Sequence, residues 1–302
     1  MIKKQEFLGM MAALTANVIF GFSFIFSKLA LSVTEPLVIL AVRFSVAFLV
    51  LNFLLFTGKI TISLKGKPKK RILLMGLCQP LLYFIFELYG LSLVSSALSG
   101  VIISLVPVAV MLLAVFWLKE KPTAVQVICT VLSIGGVAGI SILSNDNSKN
   151  YTLGVILLVL AVICAAVFNV LSRGESVNYN PFERTYVMFL LGAVGFNIIG
   201  LISMKGEYFP EILRAFSKPQ FIIAILYLSV ISSLLAFLLY NYSTSKISVV
   251  QSSSFSNIIT VVTVMAGVVF LKESFSLIEY FICLSIVLSV WGVNIFTNKK
   301  CR

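Results

Sequence analysis

No histidine occurs in the 302 residues, only 11% of them are charged, and Asp146 is the sole aspartate. Without imidazole there is no His-based general base, no Ser-His-Asp triad and no imidazole metal ligand. A single aspartate offers no intramembrane aspartate pair, and no Gly-rich nucleotide loop is present. The chain is therefore not expected to be an enzyme, nor to hold a cofactor or metal. Cysteine is sparse too: Cys78, Cys129, Cys164 and Cys283 fall within apolar runs and Cys301 in the tail. That placement suits buried thiols rather than a disulfide framework or a metal cluster.

What the chain has in quantity is hydrocarbon. Sixty per cent of it is hydrophobic and the mean hydropathy is +1.08, whereas a soluble domain is roughly 45–50% apolar and about 25% charged. A helix crossing a bilayer needs about 20 predominantly apolar residues. Ten such stretches follow one another: Phe7–Leu31, Pro36–Thr57, Ile72–Leu93, Ser96–Leu118, Thr123–Leu143, Thr152–Ser172, Pro181–Met204, Pro219–Tyr242, Ile247–Leu271 and Leu277–Thr297. They are too long for barrel strands and lack a period of two. The first exceeds a signal-peptide core and precedes no small-residue cleavage site, so it is read as a retained helix. The expectation is an all-α integral membrane protein with ten transmembrane helices.

The formal charge of +12 resembles that of a nucleic-acid binder, but its placement is topological. Lys and Arg crowd the loops that share a side with the N-terminus: Lys3, Lys4, Lys59, the Lys65–Arg71 run, Lys119, Lys121, Arg173, Arg184, Lys246 and the C-terminal Lys299, Lys300 and Arg302. Positively charged loops stay inside. Both termini are thus expected in the cytoplasm, in a multi-pass protein of the cytoplasmic membrane. Its partners are a small-molecule substrate and the lipid bilayer, with no nucleic acid.

The two halves repeat. Gly9, Ser27, Lys28 and Pro36 fall on Gly154, Ser172, Arg173 and Pro181. After a longer seventh-to-eighth loop, Tyr89, Ser95, Leu118-Lys119-Glu120 and Gly139 fall on Tyr242, Ser248, Leu271-Lys272-Glu273 and Gly292. Five helices per unit is an odd number, so the second copy enters the membrane from the opposite face. The expected domains are a first unit over 1–146 and an inverted second unit over 147–302. Such units support two arrangements of similar energy, one open to each side.

These residues also carry a resemblance. Phe20-Gly21, Pro36 with Arg43, the stretch from Tyr89 through Ser95-Ser96-Ala97 to Pro107, Gly135-Gly136 and the two Leu-Lys-Glu endings resemble the EamA-type branch of the drug/metabolite transporter superfamily. The family often has Trp-Gly where this chain has Phe20-Gly21, and proline in place of Thr260. The likeness implies a multi-pass carrier of small metabolites with a central cavity lined mainly by helices one to four and six to nine. The fifth and tenth helices would then be peripheral or form a homodimer contact.

Charge inside a span defaults to function. Arg43 lies about 10 Å below one surface and Glu87 roughly 9 Å below the same one, at 1.5 Å per helical residue. Matched depth predicts that they pair, either as a permanent packing element or as part of a binding site. Glu87 is also the candidate carrier of a coupling proton, although an Arg43 pair would work against that. Gln79, Tyr83 and Glu87 recur every four residues on one helix face. Nearby Phe84 and Phe86 could cage an organic cation, or simply pack. Asn17 and Asn169 need a partner on another helix or on substrate. Tyr240 occupies the second-half position of Glu87, on a stripe with Ser229 and Ser233. Gln251 and Asn257 belong to a polar run too wet to face lipid. Ser96, Gly100, Ser104 and Ser252, Ser256, Thr260 permit close helix approach. Pro107 is expected to bend the fourth helix as a gate hinge. Lys28 and Arg173 are expected to snorkel to opposite faces.

The favoured function is a secondary transporter moving a small polar metabolite, such as an amino acid or amine, by alternating access, with export as one direction. The alternative is a channel-like protein or a non-transporting membrane scaffold. A channel would be expected to show a repeated filter motif.

Overall fold

The computed structural model describes residues 2–118, 149–247, 255–271 and 277–295, together with Ser252 and scattered positions between 124 and 136. Among the described residues every regular element is helical, and seven helices are long and apolar enough to cross a membrane. The first two are α1 (Ile2–Leu31) and α2 (Pro36–Phe56). Pro36 opens α2 from an extended Glu35, which uses a residue whose missing N–H the helix would have left unpaired. The predicted fifth span, Thr123–Leu143, lies largely outside the described residues.

The third crossing is broken. It runs as α3 (Lys69–Gly76), a wide π-type turn over Leu77–Leu82, and α4 (Tyr83–Leu93). Pro80 removes an N–H and crowds the carbonyl four residues back. It also pushes the preceding residue into extended backbone, and Gln79 has φ −145° and ψ 115°. The fourth crossing restarts as well, from α5 (Ser96–Ile103) to α6 (Val106–Leu118). Pro107 is not mid-helix, as the sequence suggested. It stands in the first turn of α6, where proline is tolerated, and the break precedes it.

In the second half, α7 spans Lys149–Glu175 and α8 spans Pro181–Met204. The latter starts with a full capping box between Asn180 and Glu183. The sequence suggested a plain loop up to residue 218, but Tyr208–Phe216 folds as α9. Tyr208 and Ala215 are buried there while Phe209 and Leu213 are exposed. The eighth crossing again breaks in its middle: α10 (Pro219–Leu226), a π-type turn over Tyr227–Leu235, and α11 (Ala236–Lys246). Two shorter helices follow, α12 (Asn257–Leu271) and α13 (Leu277–Ile295).

The main contacts run between halves rather than within them: α2 packs on α8, α5 on α12, α1 on α11 and α12, and α4 on α7. Small residues let these backbones close. A Cβ on Gly90 would fall 3.1 Å from the Gly154 carbonyl oxygen, and one on Gly154 would fall 3.2 Å from that of Gly90. Between α12 and its neighbours, the hydroxyls of Thr260 and Thr263 donate to the carbonyls of Gly100 and Gly21, each at 3.0 Å. A hydroxyl in hydrocarbon must find an acceptor, and here it finds one across the helix contact.

Lys28 and Arg173 do not simply snorkel. Lys28 Nζ donates to the Val94 carbonyl at 2.6 Å, and Arg173 Nη1 to that of Thr244 at 2.7 Å. These carbonyls belong to the C-terminal ends of α4 and α11, where cations are favoured by orphan acceptors and the helix dipole.

Candidate functional site

The break in the third crossing borders an interior space through Gln79, and the break in the eighth reaches it through the serines that hold Arg43. A cavity of about 70 Å³ lies there, lined by Asn17, Arg43, Gln79, Tyr83, Glu87, Asn169 and Tyr240, with Ser23, Ser256 and aromatic rings. That volume holds roughly five waters. Of the sequence-suggested site residues, these seven share the cavity. Gln251 and the Asn257 side chain lie outside the described residues. Pro107 is not among the lining residues, although its neighbour Val106 is.

Arg43 is 1% exposed. Its Nε donates to Ser233 Oγ at 2.8 Å and its Nη2 to Ser232 Oγ at 3.2 Å, both in the π-type turn of the eighth crossing. The guanidinium carbon lies 4.4 Å from the Phe84 ring centre, a cation–π contact. Glu87 accepts from the Tyr83 hydroxyl at 3.3 Å. The expected Arg43–Glu87 pair is not made: the ion pairs within 4.0 Å among the described residues are Lys67–Glu183 and Arg214–Glu211. The physical reason lies in the eighth crossing. Its widened turn puts two hydroxyls against Arg43, so the cation satisfies two donors without reaching the carboxylate. The cavity thus contains a cation and a carboxylate that do not neutralise each other by direct contact.

Asn169 finds the expected partner on another helix, in Tyr240, whereas the bond of Asn17 stays within its own helix. Asn17 and Asn169 each donate back to their own helix, to the carbonyls of Ala13 and Ala165 at 2.7 Å. Asn169 also accepts from the Tyr240 hydroxyl. Around them is an aromatic lining. Phe237 sits edge-on to Phe20 at 5.1 Å, Phe84 at 6.0 Å and Phe168 at 6.4 Å. Phe84 lines the cavity as expected of a cage, whereas Phe86 does not. Phe237 went unnoticed in the sequence because one more phenylalanine in an apolar run carries no signal.

A second buried arginine was missed altogether. Arg184, counted with the loop cations, is 0% exposed. Its Nη1 donates to the Ser172 carbonyl and hydroxyl at 2.8 Å and to the Thr244 hydroxyl at 3.1 Å, and its Nη2 donates to the Asn241 carbonyl. Beside it, Glu183 accepts from Lys67 Nζ at 2.6 Å and from the Ser63 amide at 3.0 Å. The Tyr179 hydroxyl donates to the Pro68 carbonyl at 2.9 Å. The α2–α3 loop is therefore fastened to the start of α8. At the other end of the helices, the Thr34 hydroxyl donates to Glu211 at 3.0 Å beside a wide hollow of about 800 Å³.

Two stretches of the chain, 7–142 and 152–295, match the model of the EamA-like transporter family. The chain belongs to that family. An "Uncharacterized transporter YcxC" of Bacillus subtilis is 35% identical over 308 residues, covering 100% of this chain and 97% of that protein. An "Uncharacterized transporter" of Archaeoglobus fulgidus is 25% identical over 258 residues, 85% of this chain and 88% of its own. A solved structure titled "Crystal structure of protein" superposes with a TM-score of 0.68 over 95% of this chain and 96% of that one, at 16% identity. That last likeness concerns the fold alone. EamA membership together with the membrane-spanning helices makes this a multi-pass membrane transporter.

Proposed function

We propose that the protein is a secondary carrier that moves a small dipolar metabolite, of amino-acid type, by alternating access across the cytoplasmic membrane. The observation that carries this reading is the presence of Arg43 and Glu87 on one cavity without a direct ion pair between them. A ligand with a carboxylate and an ammonium group would complement both, and the aromatic wall would take its apolar part. The helix contacts support two exchangeable units, 1–146 and 147–302. Exchanging the halves carries the α2–α8 and α5–α12 contacts onto themselves and the α1–α11 contact onto α4–α7. Both termini would lie in the cytoplasm. A fit around a roughly five-water volume requires a ligand of few heavy atoms, or a cavity that widens on binding.

A thermal-shift screen of the purified protein against amino acids, amines, carboxylates, nucleobases and sugars tests this, because a ligand preferring the folded state raises its apparent stability. Zwitterionic amino acids are expected to stabilise the wild type, and simple amines or carboxylates to do so weakly. In reconstituted vesicles, Glu87→Gln and Arg43→Lys are each expected to reduce transport at least tenfold with normal expression. The lysine keeps the charge but cannot offer the guanidinium fork. Wild-type transport by both variants would remove the assigned site.

A further inference from the structure

The Lys65–Arg71 run contains more than the charge asymmetry that orients a membrane protein. Lys67 is engaged by Glu183. Lys65, Lys69, Lys70 and Arg71 are exposed, and among the described residues none of them makes an ion pair within 4.0 Å. Lys69, Lys70 and Arg71 instead rim a hollow of about 420 Å³ with Pro68, Glu175 and Asn178, between the start of α3 and the end of α7. Its one carboxylate, Glu175, is 1% exposed and accepts from Asn178 Nδ2 at 3.4 Å. Three cations against one buried carboxylate leave the hollow positive.

The helix below the rim shows what lies beside it. Leu73, Leu74 and Leu77 are each close to half exposed. Lys69 and Leu73 are four apart, as are Lys70 and Leu74, and Leu77 comes one turn later, so cations and leucines share a face of α3. Exposed leucines on a membrane-crossing helix face acyl chains, which puts the cations about one turn higher, at headgroup level. Basic residues at that level attract anionic lipids, each contributing about a fivefold gain in affinity.

We propose that this hollow is a binding site for the headgroup of an anionic phospholipid. Lys69, Lys70 and Arg71 contact its phosphate, and the Leu73–Leu74–Leu77 face receives its acyl chains. The site is separate from the central cavity and does not depend on what that cavity carries. The test uses the full-length protein in a neutral detergent, by native mass spectrometry and thermal shift, with phosphatidylglycerol, phosphatidylcholine and soluble glycerol phosphate as probes. Phosphatidylglycerol is expected to remain bound and to raise the melting temperature, whereas the other two are not. The triple substitution Lys69→Gln, Lys70→Gln, Arg71→Gln is expected to weaken phosphatidylglycerol roughly a hundredfold. Lys59→Gln with Lys65→Gln, on the same face but away from the hollow, is expected to change it little. Equal retention of the two lipids by wild type overturns the site without any variant. So does an equal loss from both sets of substitutions, which would mean diffuse attraction. Stabilisation by glycerol phosphate alone would make it a free-anion site and not a lipid site. If the triple variant fails to fold, the charge-keeping Lys69→Arg, Lys70→Arg, Arg71→Lys form must retain the lipid for the proposal to stand.

Discussion

The two buried arginines show how one residue type serves opposite ends. A guanidinium taken out of water needs its donors satisfied, whatever its role. Arg184 gives Nη1 and Nη2 to carbonyls and hydroxyls of α7 and α11, including the Asn241 carbonyl, while its buried Nε has no partner among the described residues. It is a staple between the ends of three helices. Arg43 gives Nε and Nη2 to two serine hydroxyls and borders a cavity. Hydroxyls are exchangeable partners, which a ligand carboxylate can outbid with a charge-assisted bond. The expected mutational signatures therefore separate. Arg184→Ala leaves buried acceptors unmatched, each costing about 1–3 kcal/mol. It should lower the melting temperature clearly, while ligand affinity of the protein that remains folded stays near wild type. Arg43→Ala should do the reverse, with a modest loss of stability and a loss of ligand-induced stabilisation. Equal effects of the two on ligand binding would make Arg43 a packing residue.

At the scale of the element, the breaks matter more than the helices. The turn over Leu77–Leu82 presents Gln79, and the turn over Tyr227–Leu235 presents Ser232 and Ser233 to Arg43. The first break coincides with Pro80, but the sequence reads as one unbroken helix over Ile72–Leu93, and Gln79 does not continue the helical face of Tyr83 and Glu87. The second has no proline or glycine to announce it, and a serine pair in an apolar run reads equally well as a continuous helix. That is why the sequence suggested an Arg43–Glu87 pair. Depth along each helix was legible from residue counting, but which donor meets which acceptor depends on the rotation introduced by a widened turn. Arg184 was illegible for a related reason: counting charges near a helix end cannot tell a solvated cation from one folded inward against neighbouring helix termini. The loop fastening is a further property of elements. Lys67–Glu183 and Tyr179–Pro68 tie the α2–α3 loop to the start of α8. Lys67→Ala with Tyr179→Phe cuts these two side-chain ties and leaves the Ser63 amide–Glu183 bond and the Asn180–Glu183 capping box in place. In a background without native cysteines, a Gln79→Cys thiol should then react several times faster with a hydrophilic maleimide supplied from that face. An unchanged rate would show that these two side-chain ties do not close the route to the cavity.

For the whole molecule, the all-helical, membrane-spanning part of the hydropathy reading holds, with seven helices among the described residues long and apolar enough to cross, because bilayer thickness dictates span length without reference to any partner. Topology follows from the same constraint. The Lys67–Glu183 contact puts the α2–α3 loop and the α7–α8 corner at one end, and Gln5 joins it there through Lys246 at 3.3 Å. The Thr34–Glu211 contact puts the α1–α2 corner and the α8–α10 connection at the other. The corners at Thr34 and Tyr179 therefore lie at opposite ends of the helices, which supports the proposed inversion of the second unit. The proposed orientation, with the cation-rich end in the cytoplasm, rests on the positive-inside rule. Single cysteines at Lys59 and Val177 should label only with a reagent on the cytoplasmic side, and those at Ser32 and Ser217 only from outside. If Lys59 and Val177 report opposite sides, the inverted arrangement fails. If all four report the reverse sides, the arrangement survives but the positive loops face outward. The anionic-lipid hollow would then have to be sought in the outer leaflet.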